Sequence, residues 1–149
     1  MKNHKKRYGQ MSTQAVFISL SVKNRDTGET ADIVLDNSDW LRYADKIGIP
    51  TEPIAEYTQY MLAHEGDVFE LPADVYEKLS VYKCEKSFDD GGMSLDQILE
   101  KFGKEDDAPD RYWIKDRKVG ADRSFIKYLL DKDCFVYRDC ESGEYMVRK

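Results

Sequence analysis

QAVFISLSVKNRDTGETADIVLD, residues 14–36, decides the class of fold. Val16, Ile18, Leu20 and Val22 recur at every second position, the period at which side chains share one face of a strand. Asn24-Arg25-Asp26-Thr27-Gly28 is turn chemistry, with glycine for the left-handed position and Asn and Asp to bond the local backbone. Ala31–Asp36 then returns as a second strand, with Ile33 and Leu35 on one face. A β-hairpin over 14–36 follows. A chain that opens on a hairpin has begun an antiparallel sheet.

The chain beyond it alternates helix signals with short extended runs. Asn37-Ser38-Asp39 offers N-caps for a helix carrying Trp40, Leu41, Ala44 and Ile47, and Gly48 and Pro50 stop it. Thr51-Glu52-Pro53 opens the next, with Ile54, Tyr57, Met61 and Leu62 as its stripe and Gly66 as its end. Phe69-Glu70-Leu71-Pro72 is extended. A helix over 73–86 then turns Val75, Leu79 and Tyr82 inward. Ser87–Met93 reads as a linker and a subdomain break. Ser94-x-x-Gln97 is a capping box ahead of Leu95, Ile98, Leu99 and Phe102, and Gly103 closes that helix. Lys104–Pro109 is an acidic loop, Arg111–Lys118 a strand around Tyr112-Trp113-Ile114, and Ala121–Lys132 a helix with Phe125, Ile126, Leu129 and Leu130. Phe135-Val136-Tyr137 and Tyr145-Met146-Val147 flank Glu141-Ser142-Gly143 as a second hairpin, 134–148.

Strands and helices are therefore segregated, without βαβ alternation. The expected fold is α+β, with a mostly antiparallel sheet of both hairpins and the middle strand packed under about five helices. Residues 12–149 form one domain behind a disordered basic leader, 1–11, in which Met11 is an alternative start. Trp40, Leu41, Leu62, Leu99, Leu129 and Val136 belong to the core.

Charge is segregated too. Residues 1–22 hold four bases and no acid; Lys23–Asp110 holds 22 acids against nine bases; Arg111–Lys149 holds 10 bases and seven acids. An acidic body thus lies between basic ends, inside a net charge of −6. Such asymmetry bears on partners and association rates, not on fold. The 10 tyrosines supply rigid area with a polar tip, suited to half-buried sheet positions and to interfaces. Three cysteines, Cys84, Cys134 and Cys140, form an odd set without zinc spacing. That set reads as reduced thiols acting as small hydrophobes, though Cys134 and Cys140 could pair across the second hairpin. No apolar run approaches the ~18 residues of a membrane span, and no signal peptide is present, so a cytoplasmic protein is expected.

The chemistry of catalysis is missing. A hydrolytic triad needs a histidine beside a nucleophile, but His4 lies in the leader and His64 at a helix end, where it suits the terminal carbonyls. No zinc set exists, and Asp89-Asp90 before Gly91-Gly92 lacks the later ligands of a calcium loop. Neither Gly91-Gly92 nor Gly120 makes a phosphate-cradling loop. Pro109-Asp110 with Asp116-Arg117-Lys118 resembles the metal-holding string of restriction-type nucleases. Five intervening residues leave no room for the two strands that family uses, and a charged strand end is the plain reading. No catalytic residue, metal or cofactor is assigned.

A longer run, SFIKYLLDKDCFVYRDCESGEYMVRK at 124–149, resembles the recognition helix and wing of winged-helix DNA-binding domains. It covers under a fifth of the chain. The resemblance implies a DNA-binding regulator using residues 94–149, with Arg123, Lys127 and Lys132 facing phosphate among Asp122, Asp131 and Asp133. The family places a second helix just before the recognition helix, where this sequence reads as strand.

The leading expectation is a non-enzymatic acidic protein that docks on a basic surface of a partner, such as a nucleic-acid-binding enzyme or complex, with direct DNA binding second and no membrane. In size and charge, not in motif, it is similar to phage and mobile-element inhibitors of the anti-restriction and anti-CRISPR kind. The candidate contact residues are Asp32, Asp36, Asp39 and Asp45 near the first helix, and Asp89, Asp90, Glu105, Asp106, Asp107 and Asp110 in two loops. Trp40 or Tyr57, if exposed, and Tyr112 are the aromatic anchors.

Overall fold

Strand β1 (Gln14–Asn24) and strand β2 (Thr30–Asp36) form the expected hairpin. The structure is a computed structural model and describes residues 14–50, 59–60, 63–64, 66–108 and 110–149. The hairpin turn is built by Asn24, itself buried. Its side-chain oxygen accepts from the Asp26 backbone N–H at 2.9 Å, and its carbonyl accepts from that of Gly28 at 2.8 Å.

The contacts divide the chain into two compact units, Ile18–Glu85 and, discontinuously, the chain up to Phe17 with Lys86–Lys149. β1 runs through the division, and its side chains sort accordingly. Leu20 and Val22 enter the core of the first unit, whereas Phe17 stacks on Tyr145 in the second, ring centres 5.9 Å apart. Val16, expected on the same buried face as Leu20, is 38% exposed.

In the Ile18–Glu85 unit, helix α1 (Asn37–Ile47) starts at Asp36, whose carboxylate accepts from the Asp39 N–H at 2.9 Å. Trp40, Ala44 and Ile47, at helical spacing, are buried. Leu41 is not: it is 59% exposed, because it lies about 100° round the helix from Trp40, beyond the buried stripe. Gly48 closes the helix in the left-handed conformation, φ 92°, with its N–H bonded to the Ala44 carbonyl.

β3 (Val68–Leu71) lies parallel on the second half of β1, Ser21 opposite Val68 and Asn24 opposite Leu71. Helix α2 spans Ala73–Leu79 and buries Val75, Tyr76 and Leu79. It stops well short of residue 86. Ser80–Tyr82 tightens into a 3₁₀ turn, Val81 points outward at 71% exposure, and the following chain bonds to β2, the Cys84 N–H donating to the Asp32 carbonyl at 2.8 Å. A strand edge with open carbonyls competes with further helix here. The helix expected over 51–66, with Leu62 and Tyr57, lies almost wholly outside the described residues.

In the other unit, α3 (Leu95–Phe102) has the capping box read from its sequence: Ser94 Oγ accepts from the Gln97 N–H, and the Gln97 side chain from the Ser94 N–H. Gly103 ends this helix and begins β4 (Gly103–Glu105), so the first part of the expected acidic loop is strand. β5 stops at Ile114 (Arg111–Ile114). The expected strand 115–118 is instead a cap and a helix: Asp116 accepts from the N–H groups of Lys118 and Val119 at 3.0 and 3.3 Å and starts α4 (Arg117–Ala121). Gly120 lies against Tyr145, so closely that a Cβ there would sit 2.8 Å from the ring. α5 (Arg123–Asp131) follows after one residue, then β6 (Phe135–Asp139) and β7 (Tyr145–Arg148).

The first residues of β1 pair antiparallel with β6, and the order continues β6-β7-β5-β4. One face of this sheet carries Ile114, Val136 and Val147, all buried, together with the buried helical residues Ile98, Leu99, Phe125, Ile126 and Leu129. Phe88, from the segment read as linker, packs edge-on against both Phe102 and Phe125, which also meet each other edge-on. Seven strands and five α-helices among the described residues make an α+β fold with a mostly antiparallel sheet.

Candidate functional site

The candidate residues around α1 divide by job. Asp36 is the helix cap. Asp39 accepts a hydrogen bond from the Tyr82 hydroxyl at 3.1 Å, which ties α1 to the 3₁₀ turn. Burial raises the Asp39 carboxyl above its ordinary value, the charge of Asp36 adds to this, and the Tyr82 hydroxyl only partly offsets both. The same burial and the Asp39 charge raise the Tyr82 phenol. Asp32 is exposed and accepts from Ser21 Oγ at 2.7 Å. Asp45 is exposed. Trp40 is a core residue and cannot serve as an aromatic anchor; Leu41 takes the outward position beside it, one turn before Asp45. Tyr57 lies outside the described residues.

The two loop groups belong to the other unit. Asp89 and Asp90 accept from the N–H groups of Gly91 and Gly92, each at 2.9 Å, so they shape their own turn. Asp90 also receives the Tyr128 hydroxyl. Asp106 is half-buried and accepts from Trp113 Nε1 at 3.2 Å. Burial pulls its carboxyl upward, but the indole N–H, the backbone N–H groups of Asp107 and Ala108, and the Arg111 charge together hold it below the ordinary aspartate value. Glu105, Asp107 and Asp110 are exposed, Asp110 in the left-handed region at φ 66°. Tyr112 is half-buried with the Lys149 ammonium 5.9 Å over its ring. Thus Asp36, Asp39, Asp89, Asp90 and Asp106 hold the fold locally, and Asp32, Asp45, Glu105, Asp107 and Asp110 present charge outward.

Cys134 and Cys140 do not face each other. They flank β6 at its opposite ends, six residues and about 20 Å of extended chain apart, far beyond the ~7 Å that a disulfide tolerates. Burial raises the Cys134 thiol. His64 bonds Asp67 through Nδ1 at 2.8 Å and stacks on Tyr60. Among the described residues no three His, Cys, Asp or Glu side chains gather to hold a metal ion, and no helix is long and apolar enough to cross a membrane.

The helix that the winged-helix resemblance requires before α5 is present as α4, and strand order β6-β7-β5 sets the second hairpin beside β5. α5 itself, however, is packed on most sides: Ser124, Phe125, Ile126 and Leu129 are buried, and Arg123, Lys127, Tyr128 and Leu130 are half-buried. Lys127 pairs with Asp131 at 2.6 Å. The turn after β6 carries Glu141 and Glu144, so the wing position is acidic. Sequence reasoning passed over the outward face of the β6-β7-β5 sheet, with Phe135, Tyr137, Met146 and Trp113 among Arg111 and Arg148. Their period of two was legible, but which face stays open was not.

No family model matches the chain, no curated protein matches it, and no solved structure matches it.

Proposed function

We propose that the protein is a non-enzymatic binding protein whose Ile18–Glu85 unit docks on a basic, nucleic-acid-binding surface of a partner protein. The observation that carries this is that the larger share of the excess acid falls within one of the two compact units. Ile18–Glu85 holds 14 acids against six bases, while the rest of the chain holds 17 bases against 15 acids. Ile18–Glu85 is thus a compact unit with its own core and a net charge of −8, and Asp32, Asp45, Asp74 and Glu77 are exposed on it; the acidic stretch 86–110 carries a further −5 in the other unit. Leu41 supplies exposed apolar area a turn from Asp45, the mixture of anchor and charge that a protein interface uses. On this reading the protein belongs with small acidic inhibitors of the anti-restriction and anti-CRISPR kind, encoded by phages or mobile elements and acting in the cytoplasm. Glu105, Asp107 and Asp110 would add outlying charge.

The test is capture from nuclease-treated host lysate on immobilised protein, followed by identification of what is held. Basic nucleic-acid-binding proteins should be retained without nucleic acid. The double variant Asp45→Lys with Leu41→Asp should lose them while its thermal unfolding stays intact, since both positions are exposed. Raising salt should weaken capture. Retention that ignores the double variant would overturn the reading.

A second reading, a winged-helix-like regulator on residues 94–149, is favoured by the α4-α5-hairpin order. It predicts that reversing Arg123, Lys127 and Lys132 to glutamate abolishes binding to duplex DNA. The packing of α5 ranks it second.

A further inference from the structure

We propose that the outward face of the β1-β6-β7-β5-β4 sheet is a platform for single-stranded nucleic acid. Residues paired across strands share a face, so the register assigns this one. Val16 pairs with Tyr137, Tyr137 with Met146, Met146 with Trp113, and Trp113 with Lys104, giving one row across five strands. A second row runs Phe135, Arg148, Arg111. All eight side chains are exposed or half-buried, Phe135 at 58%, whereas alternate residues such as Val136, Val147 and Ile114 are fully buried. Phe135 and Tyr137 lie with rings nearly parallel, 21° apart at 6.5 Å.

An antiparallel sheet with one packed face ordinarily presents polar residues on the other. This one presents three aromatic rings, Phe135, Tyr137 and Trp113, with three cations, Lys104, Arg111 and Arg148, and one acid at its end, Asp139, whose carboxylate accepts from the Glu141 N–H and the Ser142 hydroxyl. Arg111 and Arg148 are direct cross-strand partners, so like charges share one place on the ladder, and the Asp106 carboxylate beside Arg111 offsets part of their repulsion. Asp106 stands at the edge of this face beside Arg111, its backbone N–H bonded to the Arg111 carbonyl at 2.9 Å, and its carboxylate is occupied by the Trp113 indole. Rings on which bases stack, set among cations that take phosphate, are what a single strand needs; duplex bases are already stacked and cannot reach the rings. The inference is independent of the acidic-partner reading, because it uses the other unit and an oppositely charged ligand.

The experiment titrates full-length protein into a labelled oligothymidylate of about 20 nucleotides, longer than one module's usual site. Anisotropy should saturate, and in a Trp40→Phe background the Trp113 emission should be quenched. Three phosphate contacts on a single strand predict a slope of about −2 for log affinity against log salt. Phe135→Ala, at an exposed position, should lose about tenfold in affinity. Arg148→Gln should flatten the salt slope by about 0.7. Lys78→Gln, a charge-matched change in the other unit, should alter neither. Absence of binding would overturn the proposal. So would binding indifferent to Phe135→Ala and Arg148→Gln, duplex binding of equal strength, or a dimer in sedimentation that Phe135→Ala dissolves without any oligonucleotide bound.

Discussion

At the scale of the residue, two carboxylates show how the fold assigns opposite costs to the same chemical group. Asp106 is held below its ordinary value by the Trp113 indole and two backbone N–H groups, against its own burial. Its ionised form therefore stabilises the fold above the unfolded aspartate value of about 3.9, and that stabilisation is lost as pH falls through the lowered folded value. Asp39 is raised by burial and by Asp36, so the folded protein binds its proton first, and acidification gains stability at that group. Urea midpoints measured from neutral pH down to about pH 3 should separate them. Asp106→Asn should flatten the acid-side decline, and Asp39→Asn should steepen it. Equal slopes for both variants would refute the assignment. The same geometry makes reversal of Asp106 to lysine a poor probe of binding, because it would break the contact to Trp113.

Among the elements, helix boundaries are set by competition for backbone hydrogen bonds. α3 begins where its capping box satisfies two otherwise unpaired N–H groups, and this was readable in Ser94 and Gln97. Ser94→Ala should lower stability by about 1 kcal/mol in chemical denaturation. α1 offers the contrast. Leu41→Ser should change stability by no more than about 0.5 kcal/mol, since its side chain is already 59% in water. A loss of 2 kcal/mol or more would place Leu41 in the core after all. α2 ends early because the Asp32 carbonyl on β2 takes the Cys84 N–H. α4 forms because Asp116 caps it and Gly120 can lie on Tyr145. Both outcomes depend on partners distant in sequence.

For the molecule as a whole, the decisive element is β1, which serves two units. Its first residues pair with β6, and its later ones lie between β2 and β3. β2 and β3 both pair with β1, while in the other unit β1 adds three residues to the edge of the β6-β7-β5-β4 sheet. Each unit holds one tryptophan, Trp40 in Ile18–Glu85 and Trp113 in the other. In single-tryptophan variants made by Trp→Phe, fluorescence and far-ultraviolet circular dichroism should therefore trace one coincident unfolding transition in urea. A Trp40 transition separated from that of Trp113 would show that the units unfold independently and that β1 does not couple them.

The sequence by itself determined the hairpins, the capped helices, the α+β class and the segregation of charge, because alternation, caps and turns are local chemistry within a few residues. It also supplied the list of acids, but not their employment. Only the tertiary structure decided that Trp40 is core and Leu41 surface, and that Asp36, Asp39 and Asp106 are occupied within the fold. It alone brought Phe135, Arg148 and Arg111 into one row. The physical reason is common to all three: burial, shared hydrogen bonds and strand register are relations between distant segments. Their energies depend on which neighbour arrives, and no window of local sequence contains that neighbour.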